Sequence, residues 1–287
     1  MKIAFWGTAA AEGHPALFCD CDSCRYSREH GGKNVRTRSQ ALIDDRILID
    51  MGPDTWVHTQ TYHFDISHLE HCLVTHVHDD HLLYANFYYR RRGFANLAED
   101  SRPLFAWGSE EVGESLMPDS EGKVNPDGSV LFSLIPPLTP TVLHDSVAGD
   151  YEVTALPATH GARLPYNYII RNLRENKALL YAHDTSFYRD ERVWQYIGDC
   201  GIHLDLVTMD CTLGNDPGDQ HGGHMNLVLL HRFKDRLFSL GAVDDTTVFV
   251  ANHFSHNGKD SAYDKMIDPA VNGGGLIISY DGLELTF

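Results

Sequence analysis

Short apolar runs separated by polar turns recur along the chain, and most of them have the length and composition of β-strands. They are rich in β-branched and aromatic residues and are bounded by turn-forming residues. The pattern predicts strands at Lys2–Gly7, Ser39–Ile43, Arg46–Ile49, His71–Thr75, Leu104–Trp107, Tyr151–Ala155, Tyr166–Ile170, Ala178–Tyr181, Leu204–Met209 and Thr246–Val250. Residues 275–287 predict a hairpin that turns at Asp281-Gly282.

Apolar residues that return at three- and four-residue steps predict a smaller number of helices. The clearest pattern lies at Met225–Leu240, and others lie at Asp80–Arg92, Glu110–Met117, Glu191–Gly198 and Ser261–Asp268. Strands dominate both halves of the chain and helices lie between them. We therefore expect two sheets covered by helices in one α/β (α+β) domain that spans residues 1–287.

The charge balance restricts the classes of partner. The chain has 287 residues, of which 23 are Lys or Arg and 40 are Asp or Glu, so its formal net charge is −17. Binding along nucleic acid or to an anionic membrane depends on Lys and Arg, so we predict neither partner. The 18 histidines are the unusual feature of the composition, and together with the acidic residues they suggest metal chemistry.

The N-terminal residues and the scattered cysteines indicate a cytoplasmic location. The first residues contain neither a long apolar segment nor a small-residue cleavage site, so we expect no signal peptide. No window approaches the roughly 18 apolar residues that a transmembrane helix needs. Cys72, Cys200 and Cys211 stand apart in apolar surroundings and are expected to be core residues in a reducing compartment.

The segment from Leu73 to His81 carries the strongest chemical signal. A predicted strand ends at Thr75, and the run His76-Val-His78-Asp79-Asp80-His81 follows it. His76 and His78 can point the same way, while Asp80 and His81 are expected to start a helix and face a second point nearby. Imidazole and carboxylate groups bind zinc, manganese or iron, so we interpret this run as a set of metal ligands.

Further histidines and carboxylates stand just beyond other predicted strands. His160 follows the strand at Tyr151–Ala155, the pair His183-Asp184 follows Ala178–Tyr181, and His253 follows Thr246–Val250. Strand ends are where open sheet folds build their sites. These residues therefore supply the additional ligands that a site for two metals needs.

Three cysteines close together predict a separate zinc site. Cys19, Cys21 and Cys24 lie within six residues, in a loop at about residues 13–30. Thiolates are soft ligands suited to zinc, and three of them need one more ligand to complete a tetrahedron.

The ligand motifs resemble those of the metallo-β-lactamase superfamily over nearly the whole chain. The resemblance implies an αββα sandwich with a binuclear site at one sheet edge. It assigns His76, His78 and His160 to one metal, assigns Asp80, His81 and His253 to the other, and places Asp184 as the bridge between them. Asp79 adds a second carboxylate inside the motif, and His183, which precedes Asp184, is not counted as a ligand.

The cysteine triplet, with Arg36–Ile43 and Leu48–Asp54, is similar to the PhnP-like group of phosphoribosyl cyclic phosphate phosphodiesterases. This resemblance implies that His256 completes a structural zinc site with Cys19, Cys21 and Cys24. It also makes His224, which follows two glycines, the residue that acts on the substrate, with His221 as the alternative. A homodimer is expected from the group alone.

The chemistry expected of such a site is phosphodiester hydrolysis. Two divalent metals, Zn or Mn or else Fe, would activate a bridging hydroxide that Asp80 orients. His224 would stabilise phosphate charge or donate a proton to the departing oxygen. The predicted substrate is a small phosphodiester, by resemblance a cyclic sugar phosphate. Arg90, Arg91 and Arg92 form the densest basic run and either meet a substrate phosphate or line a solvated helix face.

Other functions fit parts of the sequence. A tRNase Z-like ribonuclease would share the segment from Asn252 to Ser255, but the net charge disfavours RNA. A thioester or lactone hydrolase would use the same hydroxide on carbon, and the cysteine triplet disfavours it. Relatives of PqqB share the triplet but commonly have incomplete catalytic motifs. A non-catalytic metal-bound scaffold would hold metals without turnover.

Overall fold

Two mixed sheets form the centre of the computed structural model, which describes residues 1–218 and 222–287. The first sheet contains β1 (Lys2–Gly7), β2 (Gln40–Ile43), β3 (Ile47–Ile49), β4 (His71–Leu73), β5 (Leu104–Gly108), β6 (Val130–Leu134) and β14 (Leu283–Thr286). Their spatial order is β14-β1-β2-β3-β4-β5-β6. The pairs from β14 to β3 are antiparallel, and those from β3 to β6 are parallel.

The second sheet repeats this arrangement. It contains β7 (Thr141–Asp145), β8 (Gly149–Pro157), β9 (Tyr166–Asn172), β10 (Lys177–Ala182), β11 (Leu206–Asp210), β12 (Val248–Asn252) and β13 (Ile277–Ile278). The spatial order is β13-β12-β11-β10-β9-β8-β7. Strands β7 to β10 pair antiparallel, and β10 to β13 pair parallel.

Helices cover the outer faces of both sheets. They are α1 (Asp22–His30), α2 (Thr55–Thr61), α3 (Tyr84–Tyr88), α4 (Glu110–Leu116), α5 (Glu191–Asp199), α6 (Leu227–Ser239), α7 (Tyr263–Met266) and α8 (Pro269–Asn272). Single 3₁₀ turns occupy Gly32–Asn34 and Ile66–His68. Within the described ranges, no helix combines the length and the apolar character needed to cross a lipid bilayer.

The alternation of side chains along each strand divides the core into layers. In β1, Ile3 and Phe5 pack between the sheets, whereas Ala4 and Trp6 face the helices outside the first sheet. In β10, Tyr181 faces the other sheet and Leu180 packs against the helices of the second. The predicted αββα sandwich is therefore confirmed.

The edge strands and several short helices differ from the sequence prediction. The sequence did not predict strands β6 and β7, which lie at the ends of the two sheets. Edge strands are half exposed and carry polar residues such as His144, so their pattern is weak. Helices α1 and α2 were also not predicted from the sequence. The helix predicted at Asp80–Arg92 is only α3, since residues 79–81 form a turn.

The hairpin predicted at residues 275–287 is wrong. Its two strands belong to different sheets, because β13 pairs with β12 and β14 pairs with β1. The turn at Asp281-Gly282 carries the chain from one sheet to the other. The half-buried Asp281 carboxylate accepts hydrogen bonds from Thr8 Oγ1 and Thr37 N, both at 2.6 Å, which hold the turn there.

Candidate metal centre

The carboxyl ends of neighbouring strands place the candidate ligands along one edge of the sandwich. Strands β10, β11 and β12 run parallel, and their register pairs Ala182 with Met209 and Met209 with Ala251. Asp184 and His253 follow these strands directly and so reach the same edge. His76 and His78 follow β4 in the facing sheet, and His160 follows β8.

Three histidines form the first cluster. His78 Nδ1 lies 3.0 Å from His76 Nε2 and 3.1 Å from His160 Nε2. The carbonyl of Gly223 accepts a hydrogen bond from His160 Nδ1 at 3.1 Å, so that nitrogen carries the proton and Nε2 has a lone pair for the cluster. The three nitrogens lie within 4.8 Å of one another and could hold one metal ion.

Asp80, His81, Asp184 and His253 form the second cluster, again with their ligand atoms within 4.8 Å of one another. Asp184 Oδ2 lies 2.6 Å from His81 Nε2 and 3.2 Å from His253 Nε2. Both of these nitrogens are buried and have no hydrogen bond of acceptable geometry. Buried polar atoms rarely stay unpaired, so the cluster suits a cation at the point where they converge.

Asp184 also approaches the first cluster. Its carboxylate lies 3.6 Å from His76 Nε2 and 3.8 Å from His160 Nε2. Asp184 therefore contacts ligands of both clusters, which is the geometry that a residue bridging two metals requires.

Three non-glycine residues of this edge have backbone conformations in the left-handed region. Asp50 has φ 66°, Asp184 has φ 48° and His253 has φ 63°. Such conformations are uncommon for residues with side chains and cost free energy, so they persist where surrounding contacts fix them. Here they turn the chain sharply after β3, β10 and β12 and direct the side chains toward the clusters.

Asp50 is a buried supporting residue to which the sequence analysis gave no role. Its carboxylate lies 2.6 Å from His81 Nδ1 and accepts hydrogen bonds from Thr75 N and Thr75 Oγ1. A carboxylate behind a histidine fixes the ring orientation and leaves the other ring nitrogen for a metal. Asp50 follows β3, so the strand-end argument that found the histidines could also have found it.

Thr75 and Thr212 support two further histidines. Thr75 Oγ1 lies 3.0 Å from His76 Nδ1, and Thr212 Oγ1 lies 2.8 Å from His253 Nδ1. In both rings the Nδ1 atom has a partner outside the cluster. Nε2 is therefore the nitrogen that each ring presents to the site.

The carboxylates control the protonation of the clustered histidines. Burial lowers the pKa of His76 well below its usual range. Burial also opposes protonation of His81 and His253, but neighbouring carboxylates outweigh it. Asp80 and Asp184 raise the pKa of His81, and Asp184 raises that of His253. Against its own burial, Asp184 has a pKa well below its usual range because His253 and His81 lie beside it. The same negative charge would attract a divalent cation.

His224 lies at the side of the two clusters and contacts a second buried carboxylate. Its Nδ1 donates to Asp210 Oδ2 at 3.0 Å and lies 3.4 Å from Asp184 Oδ1. Burial alone would lower the pKa of His224, but Asp210 and Asp184 raise it to about 9. These two carboxylates therefore favour the protonated form of the ring. Asp210 is fully buried and was given no role from the sequence, although it ends β11.

The segment around His224 is closely packed at Gly223, and the helix after it begins later than the predicted Met225. Gly223 packs closely, since a Cβ there would lie 3.2 Å from His160 Nδ1, whereas a Cβ at Gly222 would meet no atom within 4 Å. Helix α6 begins only at Leu227, capped by Asn226, so His224 precedes the helix by three residues. His221, the alternative to His224, lies outside the described residues.

The cysteine triplet and His256 form a third cluster. Cys19 Sγ lies 3.2 Å and Cys21 Sγ 3.7 Å from His256 Nδ1, and all four ligand atoms, with Cys24 Sγ, lie within 4.8 Å of one another. Ligands of a tetrahedral zinc ion are about 3.5–3.8 Å apart, so the cluster fits zinc. Burial raises the pKa of the Cys21 thiol, but hydrogen bonds from Cys24 N and His256 lower it to about 6, which favours the thiolate.

The remaining predicted candidates lie apart from the clusters. Asp79 is exposed, and His183 is a core residue 2.7 Å from Thr208 Oγ1. Arg90 donates hydrogen bonds to carbonyl groups such as Ser129 O, and Arg91 contacts Tyr88. None of these residues lines the cavity beside the clusters.

That cavity has a volume of about 290 Å³. It is lined by ligands of both clusters and His224, by the backbone turn at Ala10 to Glu12, and by Thr212, Leu213, Ser255 and Asn257. Bound ions at the clusters would therefore face a small molecule in this cavity.

Comparison with known families agrees with this geometry. Residues 45–263 match the family model described as the β-lactamase superfamily domain. The chain belongs to this family. The membership predicted from the ligand motifs is thereby confirmed, and it places the chain in a superfamily of metal-dependent hydrolases. No curated protein matches the chain in sequence.

Solved structures of the β-lactamase superfamily share the complete fold with this chain. A diphosphatase from the PhnP family is 19% identical, with a TM-score of 0.70, and the alignment covers 100% of this chain and 97% of that one. Zn²⁺-bound PqqB from Methylobacterium extorquens has the same identity and TM-score, with 100% of both chains covered. The short form of human tRNase Z is 16% identical, with a TM-score of 0.61 and coverage of 100% and 99%.

Proposed function

We propose that this superfamily member is a metal-dependent phosphodiesterase that hydrolyses a small sugar phosphodiester, by resemblance a cyclic one. The observation that carries the proposal is the convergence of two His/Asp clusters on Asp184, beside His224, in one cavity. A phosphate group carries negative charge, and this arrangement would surround it with positive charge without any lysine or arginine.

The proposed ligands of the two catalytic metals are the residues of the two clusters. His76, His78 and His160 would hold one ion, Asp80, His81 and His253 the other, and Asp184 both. Two divalent ions in such a site lower the pKa of water and polarise a phosphoryl oxygen. The ligand set accepts zinc, manganese or iron.

Asp80 is proposed to orient the attacking water. Its buried carboxylate lies 3.0 Å from His81 Nε2 and also lines the cavity. Although burial raises its pKa, the neighbouring His81 outweighs this and holds the carboxyl in its ionised form. The ionised oxygen that is not directed at His81 would accept a hydrogen bond from the water.

His224 is proposed as the general acid. Asp210 occupies its Nδ1, so Nε2 is the nitrogen available to a ligand in the cavity. A protonated imidazole there would stabilise phosphate charge and donate its Nε2 proton to the leaving sugar oxygen. Asp210 would act through His224, by fixing its orientation and its charge.

Cys19, Cys21, Cys24 and His256 are proposed to hold a structural zinc ion. The segment that leads into their loop lines the cavity at Ala10 to Glu12. It is joined to the loop after β12, because Ala10 N donates to Phe254 O at 3.0 Å and Ala9 pairs with Phe254. A closed thiolate site would fix the cysteine loop against the one that carries His253.

The substrate class follows from the size and charge of the cavity. Its volume is at the lower limit of about 300 Å³ for small-molecule sites. Among the residues that the structure describes, no lysine or arginine lines it, which disfavours the RNA substrate of a tRNase Z-like enzyme. The similar structures include a diphosphatase and a tRNase, so phosphate chemistry is represented among proteins of this fold. A homodimer and a cytoplasmic location stay predictions.

The experiment that tests this function compares the wild type with His224→Ala after loading with zinc or manganese. The substrates are bis(p-nitrophenyl) phosphate, whose leaving group departs without a proton, and a ribose cyclic phosphate, whose leaving sugar oxygen needs one. We expect the wild type to hydrolyse both diesters. In the variant, turnover of the ribose cyclic phosphate should fall roughly 100-fold or more, the usual effect of removing an acid–base group, while bound metal stays constant. Full turnover of the ribose cyclic phosphate by the variant would remove His224 from the mechanism.

A further inference from the structure

Among the described residues, the part of the cavity lining outside the metal clusters contains one acidic side chain. Besides His224 and the candidate ligands, the cavity is lined by Ala10, Ala11, Glu12, Thr212, Leu213, Ser255 and Asn257. Glu12 is the charged residue of this set. Asp219, Gln220 and His221, which lie outside the described residues, include no lysine or arginine either.

Glu12 is held on one side and open on the other. Its Oε1 accepts a hydrogen bond from Ser255 Oγ and one from Asn257 Nδ2 at 3.4 Å, and lies 3.4 Å from His256 Nε2. Within the described residues, Oε2 has no hydrogen bond. The Glu12 side chain is 30% exposed, so this oxygen can be reached by a ligand.

The backbone around Glu12 keeps the carboxylate in place. The turn is closed by a hydrogen bond from Gly13 N to Ala10 O at 2.9 Å, and it is tied to Phe254 through Ala10 N. Arg38 Nε donates to Ala11 O at 2.9 Å. A fixed carboxylate loses little entropy when a ligand donates a hydrogen bond to it, so it can select for hydroxyl groups.

We propose that Glu12, with Ser255 and Asn257, forms a subsite that binds hydroxyl groups of the substrate's sugar and excludes a second phosphate. The inference rests on the proposed function and deepens it. The carboxylate is a strong acceptor for a neutral hydroxyl, whereas it repels an anionic substituent. None of the described residues that line this wall is a lysine or arginine, and Arg38 is held by Ala11 O and Asp54. The substrate class is therefore a phosphodiester whose non-reacting part is an uncharged sugar.

This specificity differs from what resemblance to the phosphoribosyl cyclic phosphate enzymes implies, because that substrate carries a second phosphate. The two substrate classes can be compared with ligands that carry one common phosphate. Ribose 1-phosphate has an uncharged sugar, and ribose 1,5-bisphosphate adds the second phosphate.

The experiment measures binding of both ligands to the full-length, metal-loaded protein by calorimetry. We expect the wild type to bind ribose 1-phosphate about tenfold or more tightly than the bisphosphate. In Glu12→Gln, which keeps hydrogen bonding and removes the charge, this ratio should fall at least about fivefold. Glu29→Gln removes an exposed charge on α1 and should leave the ratio unchanged.

A second variant covers the contact between Glu12 and His256. If Glu12→Gln loses metal, the binding ratio is measured in Ala11→Lys instead. Ala11 is exposed, and a lysine there adds a cation to the same wall. We expect Ala11→Lys to shift the preference toward the bisphosphate by about tenfold. Wild-type preference for the bisphosphate, or an unchanged ratio in the variant that is measured, would overturn the inference.

The binding readout separates this inference from the proposed function. If bis(p-nitrophenyl) phosphate is not hydrolysed while the binding ratio behaves as expected, the phosphodiesterase proposal fails and the subsite stands. If the diester is hydrolysed but the ratio does not respond, the role of Glu12 fails alone.

Discussion

Asp210 determines how strongly His224 holds its proton. The buried carboxylate accepts hydrogen bonds from Met225 N and Thr212 N as well as from His224, so the residue is rigidly placed. It raises the pKa of His224 against the effect of burial. Asp210 is thus a positioning residue whose effect should be visible in the pH dependence of turnover.

Replacing Asp210 with Asn should lower the pKa of His224, because the negative charge beside the imidazole is lost. Turnover that needs protonated His224 decreases as pH rises through its pKa of about 9, so this limb should move to lower pH in the variant. We also expect turnover near neutrality to fall about tenfold. The pH–rate profile is the measurement, with the exposed Asp199→Asn as control. An unchanged limb would contradict the role of Asp210.

At this scale the sequence predicted which histidines and which aspartates come together, but not the residues behind them. His76, His78 and His81 follow a strand end within one short segment, so their spacing can be recognised from the local sequence. Asp50 and Asp210 support histidines that lie 31 and 14 positions away. Such contacts depend on which strands become neighbours, and residue spacing does not encode that.

At the scale of elements, the turn that carries Asp80 and His81 depends on close packing against the loop after β3. Met51 N donates to His81 O, and Leu83 N donates to Met51 O, both at 2.9 Å. A Cβ at Gly52 would lie only 1.9 Å from the Asp80 carbonyl oxygen. A side chain at this position therefore cannot be accommodated unless the turn moves.

We expect Gly52→Ala to displace Asp80 and weaken the second cluster. The variant should lose metal from this cluster and be destabilised by about 2 kcal/mol or more, since overpacking forces the backbone to shift. Urea unfolding and metal analysis are the measurements. Gly161→Ala is the matched control, because this glycine follows His160 but a Cβ there meets no atom within 4 Å. Equal stability of the two variants would show that the packing at Gly52 is not restrictive.

The central strands and the longest helices were predictable because burial imposes a clear period on their sequences. Strand β10 and helix α6 are examples in which apolar residues recur at the required spacing. Edge strand β7 carries both His144 and Asp145, so its pattern is ambiguous. The connection at Asp281 was predicted as a local turn, and its contacts with Thr8 and Thr37 depend on tertiary structure.

At the scale of the whole molecule, buried neutral histidines make stability depend on pH. His58 is 2% exposed, with Nδ1 2.5 Å from Gln40 Oε1 and Nε2 2.7 Å from Thr37 Oγ1. Burial lowers its pKa to about 4, and that of His14 similarly. A histidine whose pKa is lower in the folded than in the unfolded state stabilises the fold. This stabilisation is complete above the unfolded pKa of about 6.5 and is lost as the pH falls toward 4.

Replacing His58 with Gln should therefore reduce the acid sensitivity of the fold. Between about pH 7.5 and about pH 5, the wild type should lose about 2 kcal/mol more of its free energy of unfolding than the variant. Urea unfolding at the two pH values measures this difference. His30→Gln changes an exposed histidine and should retain the wild-type dependence. Equal losses in wild type and His58→Gln would show that His58 is not held neutral.

The central claim concerns the complete ligand set, in which Asp184 serves two catalytic ions and the cysteines hold a third. The most direct test is turnover of bis(p-nitrophenyl) phosphate by chelated protein as zinc or manganese is restored, with metal per chain measured in the same samples. We predict no turnover without metal and a plateau at three ions per chain, with two ions and retained turnover in Cys19→Ser. Full turnover without metal, or a plateau with only one ion besides the cysteine-bound one, would contradict the account.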